Sequence, residues 1–292
     1  MSVRCKRVVL WTAPRSGSSV LARSFMQRAD TVVFFEHLFD AFYLGPERRS
    51  SICGSEQQWD ALPWRRYSEV YSDMFAAQPA QISLVLAKEM AYYVMPAESA
   101  SPFEWPAEWD LFEHTFLIRS PLRQVPSYVK VMRGAEHAEG LQPEELDPTE
   151  LGVAQLHRLF GEVRRRTGRV PLVLDVEDLW HDPRSTLTAY CSALGVPFDE
   201  AMLSWTPGWR PELRALAHPA PPARLRARWS EVWVRDVLES TGFQQAGSTQ
   251  RGGVAGSAVA ADAAPLPAAM EAAMHAALSL YEEMRAHKIR IA

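Results

Sequence analysis

One loop of small residues around an arginine carries the clearest chemical signal in the chain. Residues 12–19 (TAPRSGSS) follow a short apolar run, residues 8–11 (VVLW), and lead directly into a helical pattern. The first N–H groups of a helix have no partner within it and carry the positive end of its dipole, so this junction is suited to bind phosphate or sulfate. Gly17 and the serines let an anion approach the backbone, and Arg15 adds a positive charge.

This loop differs from the usual loop of nucleoside-triphosphate-binding proteins, in which a glycine and four further residues precede Gly-Lys-Ser/Thr. With Gly17 aligned to the second glycine, Thr12 takes the place of the first glycine and Ser18 takes that of the lysine. Ser19 keeps the position of the magnesium-binding hydroxyl. A kinase-like phosphotransferase remains an alternative, but it would lack the lysine that reaches the outer phosphates.

A second segment repeats the order of strand, turn and helix about a hundred residues later. Arg119 ends the apolar run 116–118, Ser120 is the predicted N-cap, and Pro121 is the first residue of a helix. Ser127 then lies about two turns into that helix. Taken alone, such a pair is also typical of local hydrogen bonds at the end of a strand.

Together the two segments resemble sulfotransferases that use 3′-phosphoadenosine 5′-phosphosulfate (PAPS), and they are most similar to the bacterial small-molecule type. The similarity extends over roughly residues 8–205 and includes a late strand followed by Glu-Asp-Leu at 177–179. It implies a P-loop nucleoside-triphosphate-hydrolase-like fold and assigns the 3′-phosphate to Arg119 and Ser127. It also implies that the 5′-phosphosulfate is held by Arg15, Ser16, Gly17, Ser18 and Ser19.

The chain departs from the family pattern at several positions. Val176 stands where a tyrosine usually precedes Glu-Asp, and the C-terminal Arg-Lys-Gly element that closes over the 3′-phosphate in cytosolic members is not visible. The nearest substitutes for that element are Arg224, Arg226 and Arg228, for which a solvated basic surface is the competing interpretation.

Sulfuryl transfer needs a base for the acceptor proton, and two neighbouring residues qualify. Glu36 ends an apolar run, where apolar neighbours raise a carboxyl pKa towards a useful range, and the resemblance places the family's glutamate base there. His37 competes because a histidine ordinarily titrates closer to neutrality. Lys88, after another apolar run, is a candidate to contact substrate or donor. Arg15 is the candidate to neutralise the leaving phosphate.

Several apolar runs predict the sheet that positions these residues. Helical patterns lie between them, which is typical of an α/β fold with a parallel sheet and helices on both faces. The loops at the carboxyl ends of such strands face one crevice. The predicted strands are residues 8–13, 31–35, 82–87, 115–118 and 170–176. Candidates for an aromatic acceptor pocket are Phe42, Tyr43, Trp59, Trp64, Tyr92 and Tyr93.

Composition along the chain predicts three parts. Residues 1–243 form the sulfotransferase domain, and residues 244–268, rich in Gly, Ala, Ser and Thr, form a flexible linker or loop. Residues 269–292 form a C-terminal helix, which is expected to dock on the domain through an apolar stripe.

The overall charge and the cysteines restrict the partners and the compartment. A net charge of −4 argues against a nucleic-acid surface or a membrane footprint. The resemblance to the bacterial small-molecule type implies a small-molecule acceptor. Three scattered cysteines and no recognisable leader favour the cytoplasm. No metal-ligand spacing is present, so no metal is expected. The oligomeric state stays open, as does a non-catalytic protein that binds adenosine bisphosphate.

Overall fold

The structure is a computed structural model that describes residues 5–50, 65–76, 78–95, 105–139, 146–208, 235–243 and 265–291. Its centre is a sheet of five strands in the order β2-β3-β1-β4-β5, and every neighbouring pair is parallel. The strands are β1 (Lys6–Thr12), β2 (Thr31–Phe35), β3 (Leu84–Met90), β4 (Glu113–Ile118) and β5 (Leu172–Asp175).

Helices cover both faces of this sheet because residues alternate between two apolar cores along the strands. In β1, Val8 and Leu10 pack with α1 (Ser18–Phe25) and α6 (Pro183–Leu194). Val9 and Trp11 pack on the opposite face with α2 (Tyr67–Phe75), α4 (Val153–Thr167) and α8 (Ala268–Arg285). The predicted α/β fold with a parallel sheet is therefore confirmed. The helices are α1 (Ser18–Phe25), α2 (Tyr67–Phe75), α3 (Pro121–Glu139), α4 (Val153–Thr167), α5 (Val176–His181), α6 (Pro183–Leu194), α7 (Arg235–Glu239) and α8 (Ala268–Arg285).

Strand β3 is the element whose end differs most from the prediction. It continues through Lys88 and Glu89 to Met90, so the expectation that Lys88 follows the strand is wrong. Lys88 pairs with Leu10 of β1 and Phe35 of β2, and its side chain is fully buried. The charges are tolerated inside because each finds a partner at the end of β2, as described below.

The last helix, α8, packs against α3, α4 and β5. Its buried stripe includes Met270, Met274 and Met284, and the hydroxyl of Tyr281 donates a hydrogen bond to Asp175 Oδ2 at 2.7 Å. Tyr281 of this helix therefore reaches the carboxyl end of β5. Outside the described residues lie Trp59, Trp64, Arg224, Arg226, Arg228 and most of the predicted linker.

Candidate active site

The loop after β1 reaches α1 through a left-handed turn at Gly17, which is the N-cap residue of the helix with φ of 81°. A Cβ atom at this position would lie 2.6 Å from Val176 Cγ2. Glycine is therefore required both by the backbone conformation and by the packing. Arg15 also has a positive φ, 60°, and such conformations in residues with side chains are concentrated at functional sites.

Side-chain hydrogen bonds hold the loop in this shape. Gln124 Nε2 donates to the carbonyl of Pro14 at 2.8 Å, and the guanidinium of Arg119 donates to the carbonyl of Arg15 at 2.8 Å. The hydroxyls of Thr12 and Ser16 are hydrogen-bonded to each other. The first N–H groups of α1 are consequently fixed in place before any ligand arrives.

Positive charge is concentrated beside the loop. Arg15 Nε donates to Ser127 Oγ at 3.2 Å, while Arg119 Nε and Arg123 Nη1 lie 3.9 and 3.4 Å from the carboxylate of Glu177. Burial, opposed by Glu177 and assisted by the other two arginines, lowers the pKa of Arg119 to about 10. Arg119 thus stays charged near neutral pH, and Arg119 and Arg123 share the carboxylate of Glu177.

These contacts bring the residues predicted for the two anion-binding segments into one cluster. Ser16 and Ser18 are buried in the loop, Ser19 is half-buried on the first turn of α1, and Ser127 of α3 is buried beside Arg15. Gln124 was not among the predicted site residues. It lies in the first turn of α3, and nothing in its residue type or position indicates that it reaches back to the loop.

A buried carboxylate lies just after β2. Glu36 has a left-handed backbone, φ 52°, and its N–H donates to the carbonyl of Lys88 at 2.7 Å. Its two carboxylate oxygens accept hydrogen bonds from Lys88 Nζ and, at 2.8 Å, from the hydroxyl of Tyr93. Glu36 is therefore oriented by one cation and one phenol, both held by β3 and the turn that follows it.

Glu89, which the sequence analysis did not single out, holds the backbone beyond Glu36. Its carboxylate accepts the N–H groups of His37 at 2.7 Å and Leu38 at 3.3 Å. Complete burial raises its pKa well above the ordinary value, and the charge of Glu36 acts in the same direction. A glutamate in a strand resembles a surface residue in sequence, so only the fold reveals this contact.

The structure separates the two candidate bases. The imidazole Nε2 of His37 lies 3.2 Å from Arg65 Nη1 and 3.5 Å from Asp73 Oδ2 of α2. Glu36, in contrast, contacts Lys88 and Tyr93 at the end of the sheet. Although they are adjacent in the chain, the two side chains have different surroundings.

Gly152 connects the anion loop with the turn that carries Tyr93. It has φ of 68°, and a Cβ there would lie 2.8 Å from Tyr92 Cδ1 and 3.3 Å from Pro14 Cδ. Tyr92 and Pro14 therefore approach the same glycine. Since β1, β2 and β3 are parallel neighbours, the loop and Glu36 lie at the carboxyl edge of the sheet, where open α/β sheets bind their ligands.

Aromatic side chains surround this edge on the β2 and β3 side. The hydroxyl of Tyr43 is 3.0 Å from that of Tyr92 and donates to Glu150 at 2.8 Å. The rings of Phe42 and Tyr93 lie 5.1 Å apart. The other predicted aromatic residues of the described part of the chain thus pack against Tyr93, whose hydroxyl contacts Glu36.

Within the described ranges, no three His, Cys, Asp or Glu side chains come together in a group that could hold a metal ion. In the same ranges no helix is both long and apolar enough to span a membrane.

The fold and the site define a class: an α/β protein with a preorganised anion loop and a buried carboxylate at one sheet edge. A family model described as a sulfotransferase domain matches residues 6–288. The chain therefore belongs to the sulfotransferase domain family.

Two curated relatives are both from Arabidopsis thaliana. Branched-chain-amino-acid aminotransferase-like protein 1 is 30% identical over 237 residues, 80% of this chain. Branched-chain-amino-acid aminotransferase-like protein 2 is 29% identical over 240 residues. The chain spans only 36% and 35% of the lengths of these relatives.

Solved structures with distant similarity include two bacterial proteins. The sulfotransferase domain of the Synechococcus PCC 7002 olefin synthase is 17% identical with a TM-score of 0.46, and the match covers 97% of this chain and 98% of that one. A sulfotransferase from Alicyclobacillus acidocaldarius is 18% identical with a TM-score of 0.46, covering 78% and 96% of the two chains.

Proposed function

We propose that this protein transfers a sulfuryl group from PAPS to the hydroxyl of a small molecule, with an amine as the second choice of acceptor. The observation that carries the proposal is the convergence of Arg15, Arg119 and Ser127 on the loop at Gly17. This cluster lies at the same sheet edge as the buried carboxylate of Glu36.

The anion cluster matches a donor with two phosphate-type groups. In the proposal the loop residues Arg15, Ser16, Gly17, Ser18 and Ser19 hold the 5′-phosphosulfate, and Arg119 with Ser127 holds the 3′-phosphate. PAPS, when bound, supplies the activated sulfuryl group. The position of Arg15 and Arg119 beside the loop supports this assignment, because an anion there gains charge-assisted hydrogen bonds.

Glu36 is the proposed general base. Its carboxylate accepts the proton of the acceptor hydroxyl, while Lys88 and the hydroxyl of Tyr93 hold the two oxygens in position. His37 is the second candidate, but its ring is engaged with Arg65 and Asp73 of the α2 region. Arg15 and the N–H groups at the start of α1 would stabilise the charge of the departing phosphate.

The acceptor site is proposed on the aromatic side of Glu36, next to Tyr43, Tyr92 and Tyr93. Hydroxyl and ring groups there are suited to a partly apolar small molecule. The proposal needs no metal ion. The free thiols of Cys5 and Cys191 support a reducing compartment such as the cytoplasm.

The proposal is tested by following 3′,5′-adenosine bisphosphate released from PAPS in the presence of a panel of small hydroxyl and amine compounds. We expect acceptor-dependent release without magnesium. Glu36→Gln should lower the rate by about a hundredfold or more and leave nucleotide affinity close to that of wild type. Glu271→Gln, an exposed change on α8, is the matched control and should keep full activity.

Other outcomes would favour the alternatives. Magnesium-dependent transfer of phosphate from a nucleoside triphosphate would support a kinase-like enzyme instead. Nucleotide binding without transfer to any acceptor, unchanged by Glu36→Gln and His37→Ala, would support a non-catalytic adenosine-bisphosphate-binding protein.

A further inference from the structure

Trp180 of α5 has a polar atom that the fold leaves without a partner. Its side chain is buried, with 8% of its surface exposed, and its indole Nε1 has no hydrogen-bond acceptor among the described residues. A buried N–H group without an acceptor is uncommon in folded proteins and calls for an explanation, because its desolvation is not compensated.

The unpartnered edge of this indole lies against the anion loop. A Cβ at Gly17 would be 3.1 Å from Trp180 Cζ2 and 3.8 Å from Cε2. Cε2 is the atom bonded to Nε1, and Cζ2 lies on the same edge of the ring as the N–H. The edge of the indole that faces Gly17 is therefore the edge that bears the unpartnered Nε1–H group.

Helix α5 also contributes to the charged side of the site. Glu177, three residues before Trp180, lies 3.9 Å from Arg119 and 3.4 Å from Arg123. One short helix thus places a carboxylate against the arginine cluster and an indole against the loop. Because α5 directly follows β5, both side chains are fixed at the carboxyl edge of the sheet.

We infer that Trp180 is a donor-binding residue whose Nε1–H hydrogen-bonds an oxygen on the 5′ side of the nucleotide held at Gly17. The inference rests on the proposed function, since it takes the loop to be the site of the 5′-phosphosulfate. An anionic oxygen is the strongest acceptor for a buried N–H, and it would remove the unsatisfied donor that the protein otherwise carries.

The inference is tested by isothermal titration of two probes, 3′,5′-adenosine bisphosphate and 5′-AMP. Trp180→Phe removes the N–H together with part of the ring, and replacement of Trp180 by 3-benzothienylalanine removes the N–H alone. Each change should raise the Kd of both probes by about tenfold, the effect of one charge-assisted hydrogen bond. Arg119→Ala should instead weaken the bisphosphate far more than 5′-AMP.

Trp205→Phe is the matched control. Trp205 is also buried and also packs on Phe243, at 5.4 Å between rings compared with 6.3 Å for Trp180, but its Nε1 already donates to Ser240 Oγ at 2.9 Å. This variant should bind both probes with wild-type affinity. Without nucleotide, the 3-benzothienylalanine protein should melt no earlier than wild type, because it loses no hydrogen bond.

The outcomes separate this inference from the proposed function. If wild type binds the probes and the 3-benzothienylalanine protein binds both equally well, the role of Trp180 is refuted and the donor site stands. A loss confined to the bisphosphate would contradict the assignment to the 5′ side. Absence of binding by wild type would overturn both the inference and the proposed donor.

Discussion

Glu36 occupies a left-handed backbone conformation, φ 52°, that a residue with a side chain adopts only when its surroundings hold it there. Lys88 and Tyr93 bind its carboxylate, and Glu89 binds the next two N–H groups. The sequence favoured Glu36 as the base but left His37 as its competitor. Their different surroundings come from β3 and α2, which are distant in sequence, so no local pattern predicts them.

Glu89 should therefore affect both stability and turnover. Glu89→Ala leaves the buried N–H groups of His37 and Leu38 without an acceptor, and we expect the free energy of unfolding to fall by about 3 kcal/mol. Urea unfolding measures this loss. Affinity for adenosine bisphosphate should be retained while turnover falls, and Glu89→Gln, which keeps one acceptor oxygen, should restore part of both.

Glu108→Ala is the control for this prediction because Glu108 is exposed. Its stability should stay within about 0.5 kcal/mol of wild type. If Glu89→Ala unfolded at the same urea concentration as wild type, the turn after β2 would not depend on this carboxylate.

At the scale of elements, the strand and helix junctions are the best-predicted features. All five predicted strands are present, and α3 begins at Pro121 as its capping pattern indicates. The end of β3 was missed because Lys88 and Glu89 are charged, and charged residues in sequence usually mark the end of a buried strand. Both charges can be buried because Lys88 pairs with Glu36, whereas Glu89 accepts backbone N–H groups just beyond β2.

The left-handed turn between β1 and α1 predicts opposite effects of alanine at two glycines, Gly17 and Gly161. Gly17→Ala places a Cβ 2.6 Å from Val176 in a left-handed conformation, so we expect a loss of at least about 2 kcal/mol in stability and a loss of nucleotide binding. Gly161→Ala, in the middle of α4 with no atom within 4 Å of the new Cβ, should gain about 0.5–1 kcal/mol. Thermal melting and nucleotide titration of the two variants measure the contrast.

The glycine prediction would fail if Gly17→Ala melted at the wild-type temperature and bound nucleotide normally. Equal destabilisation by Gly161→Ala would also contradict it, because the loss of stability could then not be attributed to the left-handed turn at Gly17.

At the scale of the whole molecule, one buried histidine couples stability to pH. His114 Nδ1 accepts a hydrogen bond from Trp11 Nε1 at 2.9 Å, so Nε2 carries the proton and donates to the carbonyl of Trp109 at 3.0 Å. Burial lowers the pKa of His114 to about 4, although the carbonyl of Trp109 opposes the shift. The folded protein therefore holds this imidazole neutral over a range in which the unfolded chain binds a proton.

The sign follows from proton binding. Below the ordinary histidine pKa near 6.5, His114 binds a proton in the unfolded chain but stays neutral in the folded protein. Stability therefore falls as the pH drops from about 6.5 towards about 4. The full effect is about 3 kcal/mol. Urea unfolding of wild type and His114→Phe measures this effect. As the pH falls over that range, the free energy of unfolding of wild type should drop by this amount relative to that of His114→Phe. A gap independent of pH would contradict the prediction.

The sequence predicted the fold and the family of the whole molecule, but it did not predict the side-chain contacts between segments that are distant in the chain. The contacts of Gln124 with Pro14 and of Trp180 with Gly17 join elements that are far apart in the chain. Neither residue type nor spacing marks such contacts, since glutamine and tryptophan also occur in ordinary helices. These connections arise only when the sheet brings the loop, α3 and α5 to one edge.

The most direct test of the central claim is isothermal titration with 3′,5′-adenosine bisphosphate, without magnesium, on wild type and Arg119→Ala. Arg165→Ala, an exposed change on α4 whose side chain pairs with Glu162, is the control. The account predicts binding by wild type and by the control, and a loss of about a hundredfold or more in affinity for Arg119→Ala. No binding by wild type, or equal affinity in all three proteins, would contradict it.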